Sequence, residues 1–176
     1  MLRHFFYGSL VFLLCGCEFV YSTVPMGVIS YSITDPIKSG KYYEKSESKP
    51  AEIRTGSKKD RLLLILREMD NGKESKVRYH LLFKTYQDTI FATCLNPSKP
   101  YFWFKAKIVS QEKGTCLHLL MPKVDTFSQF IAEKKLPGTK GSADGVILDK
   151  LQDKDYQFLL SQKDEDLYDS TFEFCK

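Results

Sequence analysis

Arg61-Leu62-Leu63-Leu64-Ile65-Leu66-Arg67-Glu68-Met69-Asp70-Asn71-Gly72 is the stretch on which the reading of the whole chain turns. Its apolar run fits a strand covered on both faces or a short helix, because periodicity cannot separate the two over so few residues. Asp70-Asn71-Gly72 removes the ambiguity. Asn and Gly tolerate the positive φ of a tight two-residue turn, and such a dipeptide is the strongest short-range hairpin signal. Beyond it, Val77, Tyr79, Leu81 and Phe83 alternate with Arg78, His80 and Lys84, the period of a half-buried strand. A β-hairpin is therefore predicted here.

Downstream the same period continues. Ile90, Ala92 and Cys94 alternate with Thr89, Phe91 and Thr93 up to Asn96-Pro97. From Tyr101 to Val109, Phe102, Phe104, Ala106 and Ile108 share one face, with Tyr101, Trp103, Lys105 and Lys107 on the other. A turn at Lys113-Gly114 leads to a strand over 115–121, with Leu117, Leu119 and Met121 together. Short links between consecutive strands favour an antiparallel meander. The period then changes. Thr126 and Gln129 stand at capping-box spacing, Phe127, Phe130 and Ile131 share a helical face, and Leu136-Pro137-Gly138 ends the helix. A second helix is predicted over 153–162 and a closing strand over 170–175, with Phe172 and Phe174 on one face. Upstream, Val28, Ile29, Tyr31 and Ile33 suggest a first strand broken by Asp35-Pro36. The stretch 38–59 is polar, with Gly40 to Tyr43 as its one strand fragment and a loop from Glu44 to Pro50. The fold class predicted is α+β, an antiparallel β-meander of about five to seven strands with one or two packed helices.

The chain begins differently. Arg3 is followed by an apolar run from Phe5 to Leu14 and then by Cys15-Gly16-Cys17. A charged start, a brief apolar stretch and a small residue before a cut site make a secretory signal. The run of about a dozen apolar residues is short of the roughly 20 that a spanning helix needs. Leu14-Cys15-Gly16-Cys17 resembles the lipobox of bacterial lipoproteins, departing from the family pattern only in Cys15 at minus two. The resemblance covers residues 1–17 and does not reach the domain beyond. It implies diacylglycerol on the Cys17 sulfur, cleavage before Cys17 and an acyl chain such as palmitate on the new amino terminus. Several chains anchor stably where one holds only marginally, since each buried methylene contributes about 0.8 kcal/mol. In that class Glu18, in place of Asp, favours the outer membrane over the inner, facing the periplasm. The alternative is plain secretion with cleavage after Ser22, where Val20 and Ser22 take minus three and minus one. The organisation expected is a signal peptide over 1–16, a lipidated tether over 17–27 and a single α+β domain over 28–176.

With Cys15 lost and Cys17 acylated, Cys94, Cys116 and Cys175 remain, so at most one internal bridge forms. An oxidising envelope permits it. In a simple meander Cys94 and Cys116 lie two strands, about 9.6 Å, apart, outside the roughly 7 Å a disulfide spans. A bridge from Cys175 to Cys94 or to Cys116, or three unpaired thiols, are the arrangements left open.

The net charge of +4 is mild but uneven: 17 basic against 11 acidic residues over 17–113, and 8 against 11 over 114–176. That basic first half suits a solvated surface or anionic headgroups, and in an exported chain it carries no expectation of nucleic acid. His80 and His118 stand singly, without the close ligand pairs of a zinc site. His80 with Asp88 and a hydroxyl is the one arrangement offered for a nucleophilic triad. Asp153, Asp155, Asp164, Glu165, Asp166 and Asp169 lack the Gly and terminal Glu of an EF-hand and suit helix starts. Gly138-Thr139-Lys140-Gly141-Ser142 lacks P-loop spacing. No catalytic residue, metal or cofactor is nominated. Tyr101, Trp103, Lys105 and Lys107 form the one candidate partner surface, unless a helix covers the aromatics. The function expected is a non-catalytic binding or structural role in the cell envelope, with the membrane, through Cys17, and a protein of the envelope as partners. An inhibitor or immunity-type lipoprotein blocking a toxin or hydrolase, and an envelope hydrolase, are the alternatives.

Overall fold

The structure, a computed structural model, describes residues 19–45, 49–70, 73–95, 100–112, 114–141 and 145–176. The lipobox and the Asn71-Gly72, Pro97 and Lys113 turn positions lie outside them. The strands are β1 (Val20–Ser22), β2 (Ile29–Ser30), β3 (Gly40–Glu44), β4 (Lys49–Thr55), β5 (Arg61–Asp70) and β6 (Lys73–Tyr86). There follow β7 (Thr89–Cys94), β8 (Tyr101–Gln111), β9 (Gly114–Pro122) and helix α1 (Val124–Ala132). The chain then runs through β10 (Gly138–Lys140), β11 (Val146–Leu148), α2 (Asp153–Ser161), α3 (Asp164–Leu167) and β12 (Tyr168–Cys175).

Asp70 pairs with Lys73 and Leu62 with Leu81, so β5 and β6 form a long hairpin with two residues at its turn. Each strand from β3 to β9 pairs antiparallel with the next. β12 then lies antiparallel between β9 and β3. The sheet therefore closes on itself as an eight-stranded barrel. This overturns the predicted α+β class with an open meander of five to seven strands: the protein is mostly β, and the three short helices among the described residues sit outside the barrel. Two features hid the closure. Lys49–Thr55 turns only Ala51 and Ile53 to the core, so it passed for a polar loop and its strand went uncounted. The final strand pairs across more than a hundred residues with β3, a contact local patterning does not encode.

Alternation fills the barrel. Tyr42, Ile53, Leu62, Leu64, Tyr79, Leu81, Phe83, Phe102, Phe104, Leu117, Leu119, Phe172 and Phe174 form one buried interior cluster. Eight strands leave an interior that side chains just fill or that holds one small ligand. Ile33 and Ile37, both fully buried in that cluster, sit in a turn held by Ile37 N–H on Ile33 O (3.0 Å) and by Thr34 N–H on Lys59 O (3.3 Å). The predicted first strand shrinks to Ile29–Ser30, and Val28 and Ile29 point to solvent.

A second core lies outside the wall, where Tyr86, Phe91, Trp103 and Leu120 meet Phe127 and Phe130 of α1 and Tyr156 and Leu159 of α2. Phe127 and Phe130 are on the face expected of α1. Its start is different: the helix begins at Val124, Lys123 takes the N-cap position without a side-chain bond, and Thr126 Oγ1 donates to Asp166 O (3.1 Å). Thr126 and Gln129 thus make no capping box; Gln152 and Asp155 make one at α2. The stretch read as a tether is built into the fold from Phe19 onward. β1 pairs with β8 and with β11, Phe19 packs edge-on to Phe102, Met26 N–H donates to Thr93 Oγ1 (3.1 Å) and Gly27 N–H to Tyr156 Oη (2.9 Å).

Candidate functional site

The candidate partner surface on β8 is covered at its centre and open at Lys107. Trp103, 1% exposed, is wedged between Phe91 (centroids 6.0 Å apart) and Phe127 (5.6 Å). Tyr101 is half-buried at the start of β8, where it pairs with Ser22 of β1. Lys105 and Lys107 converge on the carboxylate of Asp164 at 2.6 and 2.7 Å. The row serves to seat the helical layer on the barrel.

Burial alone would raise the Asp164 pKa, but hydrogen bonds and charge from Lys105 and Lys107 outweigh it and hold the carboxyl below its ordinary 3.8. A folded-state pKa lowered in this way contributes stability that is complete above the unfolded value and is lost as pH falls through the folded one. Asp164→Asn is expected to lose about 1 kcal/mol near neutral pH. In urea melts across pH the gap to the parent should then close below about pH 4; a gap unchanged at acid pH would show that the loss is not ionic.

Four of the other five acidic residues of that cluster have partners for their side chains. Asp153 accepts from Tyr86 Oη and from Gln157 Nε2, Asp155 accepts from Gln152 N–H (2.7 Å), Glu165 pairs with Lys163 and Asp169 with Lys123. His80 points outward in mid-β6, while Asp88 lies past the end of that strand, about 20 Å of extended chain away. The two are not brought together.

Cys116 and Cys175 form a disulfide with Cα atoms 4.2 Å apart, one of the two pairings the sequence left open with Cys175. Cys94 is a buried thiol outside the bridge. It faces the barrel interior, whereas Cys116 faces out, so face as well as strand order separates them. His118, two residues along β9 and opposite Glu173, puts a ring nitrogen within 4.8 Å of both sulfurs, and its Nε2 is buried without a hydrogen-bond partner. With the sulfurs bonded to each other, no thiolate is offered to a metal there.

Two clefts among the described residues lie on the outside. One, of about 570 Å³ between α1 and α2, is lined by lysines but also by the Asp155 carboxylate, which already caps a helix. The other, of about 520 Å³, lies over β4–β6 on the side of the barrel that the helices leave bare. Register places Arg54 opposite Leu63 and Leu63 opposite His80, and Leu95 N–H donates to His80 O (2.8 Å). Arg61 is two positions from Leu63 on the same strand face, and the turn bringing Lys58 beside it is closed by Arg61 N–H on Lys58 O (3.2 Å). Among the described residues no carboxylate lines this cleft, although Glu52 pairs with Arg54 at its edge. Sequence reasoning missed it because its residues come from three strands, the loop between β4 and β5, and Leu95 just past β7; the only hint was the basic excess of the first half. Family models, curated proteins and solved structures were compared with this chain, and none matches.

Proposed function

We propose that the chain is a lipid-anchored protein of the bacterial cell envelope whose barrel is a non-catalytic binding module. The observation that carries the export half of this reading is the Cys116–Cys175 disulfide, since such bridges persist in oxidising compartments. The leader ending in Leu14-Cys15-Gly16-Cys17 supplies the route and the anchor. The barrel itself is not built to cross lipid. Transmembrane barrels turn apolar residues outward and polar ones inward, whereas this one buries Phe83, Phe104 and Leu117 inside and exposes Arg54, Arg61, Arg67 and Arg78. The binding half draws on the use made of the polar groups: on the barrel wall Arg54 pairs with Glu52 and Arg67 with Glu74, while Asp155 caps α2 and Asp164 holds the outer layer on β8.

Mass spectrometry of the protein extracted from membranes tests the anchor. The expected product begins at Cys17 and carries acyl chains on its sulfur and amino terminus. A soluble product starting after Ser22, or an uncut leader with a bare Cys17 thiol, would overturn it.

A further inference from the structure

We propose that the cleft over Leu63 is a binding site for a single anionic amphiphile of the phosphate-ester class. The reading rests on the domain being a binding module and names the ligand class of that module.

Leu63 and Leu95 are half-buried apolar side chains on the outer face of the barrel wall. Around them stand Arg54, Lys58, Arg61 and His80, with Ser57 in the loop above. Arg54, which also lines the cleft, is ion-paired with Glu52, whose carboxylate accepts its Nε–H at 2.6 Å. Among the described residues, Lys58 and Arg61 have no carboxylate partner. A cation rim around an apolar floor suits a ligand with an anionic head and a hydrocarbon tail. A planar guanidinium fork fits phosphate oxygens two at a time. The volume of about 520 Å³ is in the range of small-molecule clefts. Further along the same hairpin Arg67 is ion-paired with Glu74 at 3.1 Å.

Isothermal calorimetry on the full chain, held in a neutral detergent, tests this with hexyl phosphate and inorganic phosphate as probes. Hexyl phosphate is expected to bind at one equivalent and at least tenfold more tightly than inorganic phosphate. The double variant Lys58→Gln/Arg61→Gln should weaken it at least tenfold, and Leu63→Glu, which sets a carboxylate on the floor, should abolish it. Arg67→Gln/Lys76→Gln, elsewhere on the same face, should leave it unchanged. All these side chains lie outside both cores, so thermal melts of the variants should match the parent. Absence of saturable binding, equal affinity for inorganic phosphate, or an equal loss in the Arg67/Lys76 variant would each overturn the proposal. Competition by phosphatidic acid in the same micelles would place the natural ligand in a membrane, and failure to compete would make it a soluble ester. None of these results bears on the mass of the Cys17 product, so failure here and failure of the anchor are told apart.

Discussion

Trp103→Ala is expected to remove about 3–5 kcal/mol of stability, the cost of deleting a large aromatic from a packed core. The ring is 1% exposed and is the link between the barrel wall and α1, through Phe127 and Phe91. Its loss opens a void where the two layers meet, and rigid neighbours on both sides prevent collapse. Trp103→Phe should cost far less, under about 2 kcal/mol. The Trp103 Nε1–H is buried without a hydrogen-bond partner, and removing an unsatisfied donor offsets part of the lost contact. Urea melts followed by far-ultraviolet circular dichroism check both. If alanine and phenylalanine cost the same, the aromatic contact is not what holds the helices down.

Reduction of the Cys116–Cys175 bridge, or Cys175→Ser, should cost about 2–4 kcal/mol. The bridge spans 59 residues, a loop whose closure removes much of the freedom of the unfolded chain. That loop holds all three helices and the strand that completes the barrel. Cys94→Ser tests the alternative, because Cys94 is inside the barrel and outside the bridge; it should leave the sensitivity to a dithiol reductant intact. A parent protein whose melting is indifferent to reductant would deny the bridge its role.

The parts of the fold legible in the sequence were those written locally. Asp70-Asn71-Gly72 gave the hairpin, and strict alternation from Val77 to Met121 gave the order and inner faces of β6 to β9. The Phe127, Phe130, Ile131 triplet gave the buried face of α1. What stayed hidden were properties of several strands at once. Barrel closure depends on β12 meeting β3, and β4 spends only two apolar residues on the core, too few to register as a period. Thr23 to Gly27 reads as an irregular linker, yet its backbone donors are satisfied by Thr93 and Tyr156 from far along the chain, which no local pattern announces. The candidate row on β8 was legible as a face, with a covering helix as the other reading; which of its residues that helix covers was not legible, since the helix arrives some twenty residues later. The basic cleft escaped for the same reason: Arg54, Arg61 and His80 are neighbours only once three strands stand in register.

Phe19 is already locked against Phe102 and Tyr21, and a single residue, Glu18, separates it from Cys17. Two peptide links span at most about 7 Å. On the proposed anchor, the body would be moored on a leash too short for tumbling, flush with the lipid and held in one orientation. A task that requires reaching across the envelope to a distant wall is then closed to it, and whatever it captures must come down to the surface where it sits.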